Sequence, residues 1–209
     1  MMDWCQHACC ISVYERNIMA KSLESLATQF TTGDGRSFVS DKESQLIELC
    51  RRGDRDSQKQ LYQQHCERIY QLMFRMVGST NADDLTQQVF LCVFQKLDKF
   101  QGRSSFSTWL YRLASNEALQ FLRRRRRDSD QPMLVDVSDD RRNASDDFEQ
   151  HELMEWALSR LDPELRAVLL LREVDGLSYY DIALALDIAE GTVASRLNRA
   201  RRCLLELIE

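Results

Sequence analysis

The sequence predicts an all-α protein: two small helical domains joined by an acidic, flexible linker, the second domain a helix-turn-helix. Three observations carry that expectation. Two prolines and seven glycines are all that punctuate 209 residues, too few for the turns of an all-β chain. Apolar residues recur at three- and four-residue steps in one segment after another from Asp41 onward, the period of amphipathic helices. Charge is laid out in blocks: Arg123 to Arg127 is a run of five arginines, whereas Asp128 to Gln150 holds eight acidic residues against two basic ones, a solvated linker composition.

The hydrophobic content of 44% is enough for packed cores. The formal net charge of −5 says little about partners, because its distribution is so uneven. No stretch approaches the roughly 18 apolar residues of a membrane span, and no basic-then-apolar signal peptide opens the chain. A cytoplasmic protein with no membrane insertion is expected. The seven cysteines are odd in number, and those in helical segments, Cys50, Cys66, Cys92 and Cys203, read as small apolar residues in a reducing compartment.

Residues 1–40 read as a leader. A weak helical patch (Leu23, Leu26, Phe30) precedes a turn-rich "TTGDGRS", with no sustained period. Met19, opening "MAKSLESLATQF", is an alternative start. Cys5, His7, Cys9 and Cys10 offer soft ligands, but no second pair follows at zinc-site spacing, so no metal site and no cofactor are assigned.

Residues 41–127 read as four helices. Leu46, Leu49 and Cys50 mark the first, ending near Gly53. Leu61, His65, Ile69, Met73 and Phe74, with Tyr62, Met76 and Val77, mark the second, ending near Gly78. The third is expected to start with Asn81 as its cap, with Asp83 and Asp84 placed for the positive end of the helix dipole. Its stripe is Leu85, Val89, Val93 and Leu97, broadened by Phe90 and Phe94. After a turn, "FQGRSS", a fourth helix runs through Phe106, Leu110, Leu113, Ala114 and Phe121 into the arginine tract. Residues 128–151 read as the linker.

Residues 152–209 read as the second domain. His151 to Arg160 and Pro163 to Glu173 are two helices, with Pro163 suited to a first helical position. Ser178-Tyr179-Tyr180-Asp181 has the form of a capping box ahead of Ile182, Leu184 and Leu186. That short helix should end at Asp187, a residue type that tolerates a left-handed turn. The next begins near Glu190, which leaves the turn length of a helix-turn-helix. At about 100° per residue, Val193, Leu197, Ala200 and Leu204 share an arc that must face a core. Ser195, Asn198, Arg199 and Arg202 fall on the opposite side. A face of this kind suits the DNA major groove, where arginine pairs with guanine and asparagine with adenine. A surface helix with solvated arginines is the bland alternative. The capped helix and tight turn ahead of it favour docking on DNA.

The run "GLSYYDIALALDIAEGTVASRLNRARRCL" resembles the C-terminal DNA-binding region of bacterial sigma factors, a pattern partly shared by response regulators. "ADDLTQQVFLCVFQKLDKFQGRSSFSTWLYRLASNEALQFLRRRRR" resembles the second conserved region of sigma factors of the extracytoplasmic-function (ECF) group. The likeness runs from about Asp41 to the C-terminus in the right order. It implies a promoter-specificity subunit, not an enzyme, whose partners are bacterial core RNA polymerase, promoter DNA (duplex and melted non-template strand) and an anti-sigma factor.

The resemblance also implies residue roles. Asp84, Leu85, Gln87, Gln88 and Phe90 match the family's docking surface for polymerase, with Gln88 in place of a usual glutamate. Leu85 and Phe90 also read as core. "FQGRSSF", Phe100 to Phe106, matches the loop that captures a flipped base of the minus-ten element. There Gly102 permits close approach, while Gln101, Arg103, Ser104 and Ser105 can bond bases and phosphates. Arg112, Asn116 and Arg123 extend that surface. Ser115 and Gln120 depart from the usual residue types. Trp109 reads as core ahead of base stacking. Thr192, Ser195, Arg196, Asn198, Arg199 and Arg202 match the minus-thirty-five reading helix, in which Ala194 replaces a usual lysine or arginine. The arginine tract is expected to neutralise phosphates. The acidic linker resembles one that threads through the polymerase.

Two other readings explain less of the chain. A stand-alone helix-turn-helix regulator leaves "DDLTQQVF" and "SSFSTWLYRLA" unused. A redox or metal sensor built on the N-terminal cysteines leaves everything after residue 40 unused. No catalytic constellation competes, because His7, His65 and His151 lie far apart in sequence and no phosphate loop or H-E-x-x-H is present.

Overall fold

The computed structural model describes residues 41–128 and 146–208. The leader, with its Cys5, His7, Cys9 and Cys10 cluster, and the middle of the acidic segment lie outside these residues. Among the described residues there are eight α-helices and a 3-10 turn, and no strand. The all-α expectation holds.

The N-terminal group comprises α1 (Asp41–Arg51), α2 (Arg55–Val77), α3 (Ser79–Lys96), the 3-10 turn Leu97–Lys99 and α4 (Phe106–Asp128). Asp54 caps α2, its carboxylate accepting from the Ser57 amide at 2.9 Å. Gly78 ends α2 at φ 87°, a conformation that favours glycine, and its amide donates to Phe74 O.

The same residue starts α3, which corrects one expectation. The helix begins at Ser79 with Gly78 as a cap lacking any side-chain bond, so Asn81 sits inside it. The glycine turn sets the boundary before asparagine can act. Asp83 and Asp84 consequently fall past the first turn, where the dipole's pull has faded. A second correction concerns Leu49, which is 45% exposed and outside the core that Leu46, Ile47 and Cys50 enter.

The core of this group is a set of interlocking stripes. Phe106, Leu110, Ala114, Ala118 and Leu122 recur every four residues along α4 and are all buried, against Leu61, Ile69, Met73 and Met76 of α2 and Val89 and Val93 of α3. The arginine tract continues α4 as far as Asp128.

The C-terminal group comprises α5 (Asp146–Arg160), α6 (Pro163–Glu173), α7 (Tyr179–Leu186) and α8 (Glu190–Ile208). α5 starts at Asp146, ahead of His151 and within the segment read as linker. Asp162 caps α6, accepting from the Glu164 amide at 2.9 Å, with Pro163 in the first turn as the sequence indicated. Leu165, Val168, Leu169 and Leu171 are buried on α6, with Ile182 and Ala185 of α7 beside them.

The two groups pack on each other in one continuous apolar cluster. Arg166 of α6, only 1% exposed, joins them. Its guanidinium donates to Met76 O in the last turn of α2 at 2.6 Å, to Leu161 O at 3.1 Å and to Ser159 O. One cation thus satisfies orphan carbonyls at the ends of two helices, α2 and α5, where the dipole is negative. Burial pulls its pKa down to about 10, still well above neutrality, so it stays charged. Arg75 of α2 and Glu155 of α5 form a mostly buried ion pair at 3.8 Å alongside.

Candidate nucleic-acid interface

Two surfaces carry the residues singled out for DNA. The first is built on α7 and α8. The Ser178 hydroxyl accepts from the Asp181 amide at 3.1 Å and donates to the Asp181 carboxylate at 2.6 Å, which fixes the start of α7. Asp187 ends it in the left-handed conformation, φ 56° and ψ 47°. The turn closes through the Thr192 amide on Ala189 O at 2.9 Å. α8 then buries Val193, Leu197 and Ala200 completely, with Leu204 partly buried against the same core.

That burial forces the other side outward. Ser195, Asn198, Arg199 and Arg202 are exposed and Thr192 is half-buried. The Ser195 hydroxyl donates back to Thr192 O at 3.0 Å. Arg196 differs from its neighbours, being held by Glu164 of α6 at 2.7 Å. Arg201 is bonded to Glu173 at 2.6 and 3.1 Å and serves to fasten α8 to α6. Among the described residues, Asn198, Arg199 and Arg202 keep their polar groups available to a ligand.

The second surface is the turn before α4 and the exposed side of that helix. Arg51 of α1 donates to Leu97 O at 3.2 Å and to Phe100 O, which anchors the turn where it leaves the 3-10 segment. Phe100 is buried against Phe106 at 5.6 Å and Trp109 at 5.4 Å. Trp109 is half-buried in this aromatic cluster, in line with the core reading. Beyond Phe100 the turn lifts off the core: Gln101, Gly102 and Arg103 are exposed, and Gly102 adopts φ 67°. Ser104 is half-buried, its hydroxyl donating to Ser105 O at 3.2 Å. Ser105 caps α4, accepting from the Thr108 amide at 3.0 Å and pairing with the Thr108 hydroxyl at 2.7 Å. Its first role is therefore to start the helix.

Arg112, Asn116 and Arg123 project on one side of α4, since steps of four and seven residues return to nearly the same angle. All three are exposed. Ser115 is buried, without a hydrogen-bond partner for its hydroxyl, and faces away from this surface. The five arginines do not share a face. The tract is helical, so its residues are spread around the axis: Arg125 is half-buried, Arg123 pairs with Glu164 at 3.1 Å and Arg127 folds back on Arg123 O at 3.4 Å.

The first surface lies against the second. Thr108 donates to Asp181 at 3.0 Å and the Tyr111 hydroxyl donates to Asp175 at 2.5 Å, both across the junction of the two helical groups. Arg112 meets Asp187 at 3.4 Å. Burial pushes the Asp175 carboxyl up to about 6, while the Tyr111 bond and the charges of Arg75 and Arg68 hold it down. A carboxyl raised above its ordinary 3.8 favours the packed state fully below that value, and the benefit is lost as pH rises through about 6. Asp175→Asn keeps the acceptor without the charge. Relative to wild type, its melting temperature is therefore expected to climb between pH 5 and pH 7.5, by an amount equivalent to about 1 kcal/mol. A difference that stays constant with pH would contradict this origin.

A third surface sits on α3. Asp84, Gln87 and Gln88 are exposed on one side. Leu91, 57% exposed, extends them by one more turn. Leu85 is half-buried, and Phe90 is buried edge-on against Tyr62 with ring centroids 4.7 Å apart, so the latter belongs to the core.

Residues 61–128 match the family described as Sigma-70 region 2, and residues 151–204 match Sigma-70, region 4. The chain is 32% identical over 172 residues to the ECF RNA polymerase sigma-E factor of Escherichia coli K12, covering 76% of this chain and 90% of that one. It belongs to the ECF family of sigma factors. A likeness of 33% extends over 80% of the chain and 94% of the RNA polymerase sigma-H factor of Pseudomonas aeruginosa. The ECF sigma factor SigE of Mycolicibacterium smegmatis is 34% identical, and there the match spans 60% of the relative. Among solved structures, sigma factor RpoE of Bartonella quintana, in complex with the anti-sigma factor NepR, aligns with a TM-score of 0.61 and 28% identity over 72% of this chain and 95% of that one. CnrH, in complex with the cytosolic domain of CnrY, shares the fold with a TM-score of 0.61 at 24% identity, over 80% of this chain and 97% of that one.

In this sigma factor, sequence reasoning missed the residues that place the surfaces. Arg51 and Arg166 carry no motif, and the acceptors that tie them to other elements, Leu97 O and Met76 O, are main-chain carbonyls distant in sequence. Leu91 left a signal, an apolar residue at helical spacing from Asp84 and Gln88 on an otherwise polar side. Glu164 left none, since its two arginine partners come from different helices.

Proposed function

We propose that this sigma factor directs bacterial core RNA polymerase to specific promoters by reading minus-thirty-five duplex through α8 and melted minus-ten DNA through the turn before α4. The observation that carries the reading is the division of α8: Val193, Leu197 and Ala200 fully buried, with Asn198, Arg199 and Arg202 exposed on the opposite side. Such a helix, presented by a capped helix and a tight turn, has the docking geometry of a major-groove reader.

In this reading Thr192, Ser195, Arg196, Asn198, Arg199 and Arg202 meet the duplex. Gln101, Gly102, Arg103, Ser104, Ser105, Arg112, Asn116 and Arg123 meet the non-template strand, with Gly102 allowing close backbone approach. Asp84, Leu85, Gln87 and Gln88, joined by Leu91, dock on the polymerase. Residues 41–127 form the polymerase and minus-ten domain, 128–151 the connection and 152–209 the minus-thirty-five domain. The protein works by binding rather than turnover, in the cytoplasm where its polymerase acts, and an anti-sigma factor restrains it. Opening the duplex draws on binding energy, captured bases offsetting lost stacking.

Run-off transcription with purified bacterial core polymerase on a promoter library tests this directly. Transcripts selected by sequence and dependent on the protein are expected. Retention of duplex DNA without binding to core would replace this reading with a stand-alone regulator. The arginine tract gives a second check. Because its side chains are spread around α4, replacing Arg123 to Arg127 by glutamine is expected to reduce the salt slope of DNA binding by about 2 to 3, not the full five phosphates, at every promoter alike. An unchanged slope would remove the tract from the interface.

A further inference from the structure

The geometry points to Arg51 of α1 as the positioning residue of the minus-ten turn: it fixes the direction in which the chain leaves Phe100, and so presets Gln101 to Ser104 for the captured base. This deepens the proposed function, since it rests on the assignment of that turn to melted DNA. It adds a residue that lies outside the surface meeting the strand.

The turn has two ends, and one is held locally. Ser105 starts α4 by accepting from the Thr108 amide at 3.0 Å. At the other end the Phe100 amide donates to Leu97 O at 3.1 Å, and the Phe100 ring is buried. Neither contact sets the Phe100 carbonyl. Its partner is the Arg51 guanidinium, whose Nη2 donates to Phe100 O while Nε donates to Leu97 O at 3.2 Å. A peptide unit is planar, so holding the Phe100 oxygen also orients the Gln101 amide and fixes the extended ψ of Phe100, 111°. Beyond it no other polar contact restrains the chain before Ser104. Among the described residues, Gln101, Gly102 and Arg103 are exposed and form no hydrogen bond or ion pair.

The arm has a firm base. Ile47 and Cys50 of α1 are 3% and 2% exposed, and the Gln58 side chain of α2 donates to Cys50 O at 3.3 Å. Glu48 meets Arg51 Nη1 at 3.4 Å, which leaves Nε and Nη2 to the two carbonyls. Arginine presents these nitrogens in a rigid planar fork, whereas lysine offers a single nitrogen. A turn that is mobile in the free protein must be ordered when a base enters it, and that entropy is subtracted from the affinity. With the Phe100 carbonyl held in advance, the ordering is already done.

The test uses the full chain assembled with core polymerase and fluorescein-labelled non-template strands of one promoter that it transcribes, each strand abasic at one position. In the wild type, loss of the captured base is expected to weaken binding far more than loss of any other. In Arg51→Met that one penalty is expected to shrink about tenfold, the order set by ordering a single residue of backbone on binding, with the penalties elsewhere unchanged. Arg51→Lys should fall between. A merely structural role would instead lower binding to every strand alike, and that outcome would overturn the assignment. A second readout needs neither polymerase nor DNA: the NMR order parameter of the Gly102 amide is expected to fall from about 0.85 to below about 0.6 in Arg51→Met. A captured-base penalty that both variants leave unchanged rejects Arg51 and leaves the promoter reading standing. A wild-type complex with no position-specific penalty rejects the minus-ten reading, and the Gly102 amide then decides whether Arg51 positions the turn.

Discussion

Replacing Arg166 by methionine is expected to lower the stability of the folded chain by about 3 kcal/mol, a loss of roughly 6 to 12 °C in melting temperature. Methionine matches the length of the buried stem but donates nothing. Met76 O, Leu161 O and Ser159 O would then lose a charged donor at the negative ends of two helices. Asp162 and Glu155, whose charges favour the guanidinium, would also lose their cation. Relief of burying a charge offsets part of this cost, which is why the figure stays below the sum of three charge-assisted bonds. Urea unfolding followed by circular dichroism measures it. A change under 1 kcal/mol would mean that water or a shifted helix end replaces the donor, and that Arg166 is not what joins the groups.

Alanine at both Asn198 and Arg199 is expected to weaken binding to a selected minus-thirty-five duplex by about 100-fold, while affinity for scrambled duplex falls far less. Each good contact with a base edge discriminates by about 1 to 3 kcal/mol, and two together reach that range. Both side chains are exposed, whereas the helix is held by Val193, Leu197 and Ala200, so unfolding should be unaffected. Arg201→Ala is the useful contrast. Its guanidinium is bonded to Glu173, and its removal should loosen α8 on α6 without changing which sequence is preferred. Equal losses on selected and scrambled duplex in the double variant would move these residues from base reading to phosphate contact.

The chain's local features were legible in the sequence because local physics sets them. The capping box at Ser178, the left-handed Asp187, the start of α8 at Glu190 and the burial of its Val193 and Leu197 depend on residues within a turn or two of each other, and each stands where the pattern placed it. The resemblance of both halves to one family agrees with the matches to Sigma-70 regions 2 and 4. Where the local reading failed, a neighbouring feature had prior effect. The glycine turn at Gly78 set the start of α3 ahead of Asn81, and a helical Arg123 to Arg127 could not keep five cations on one side.

What only the tertiary structure decided is which surfaces are open. Tyr111 and Asp175 are separated by 64 residues, Thr108 and Asp181 by 73, and Arg166 and Met76 by 90. No periodicity or spacing encodes such pairs. They arise when two amphipathic helical groups, each specified by its own pattern, bury their remaining apolar surface on each other and bring whatever polar groups lie at the rim into register. The sequence therefore determined the helices and the chemistry of each surface proposed for DNA, and tertiary packing determined that Glu164, Asp181 and Asp187 would stand against polar groups of α4.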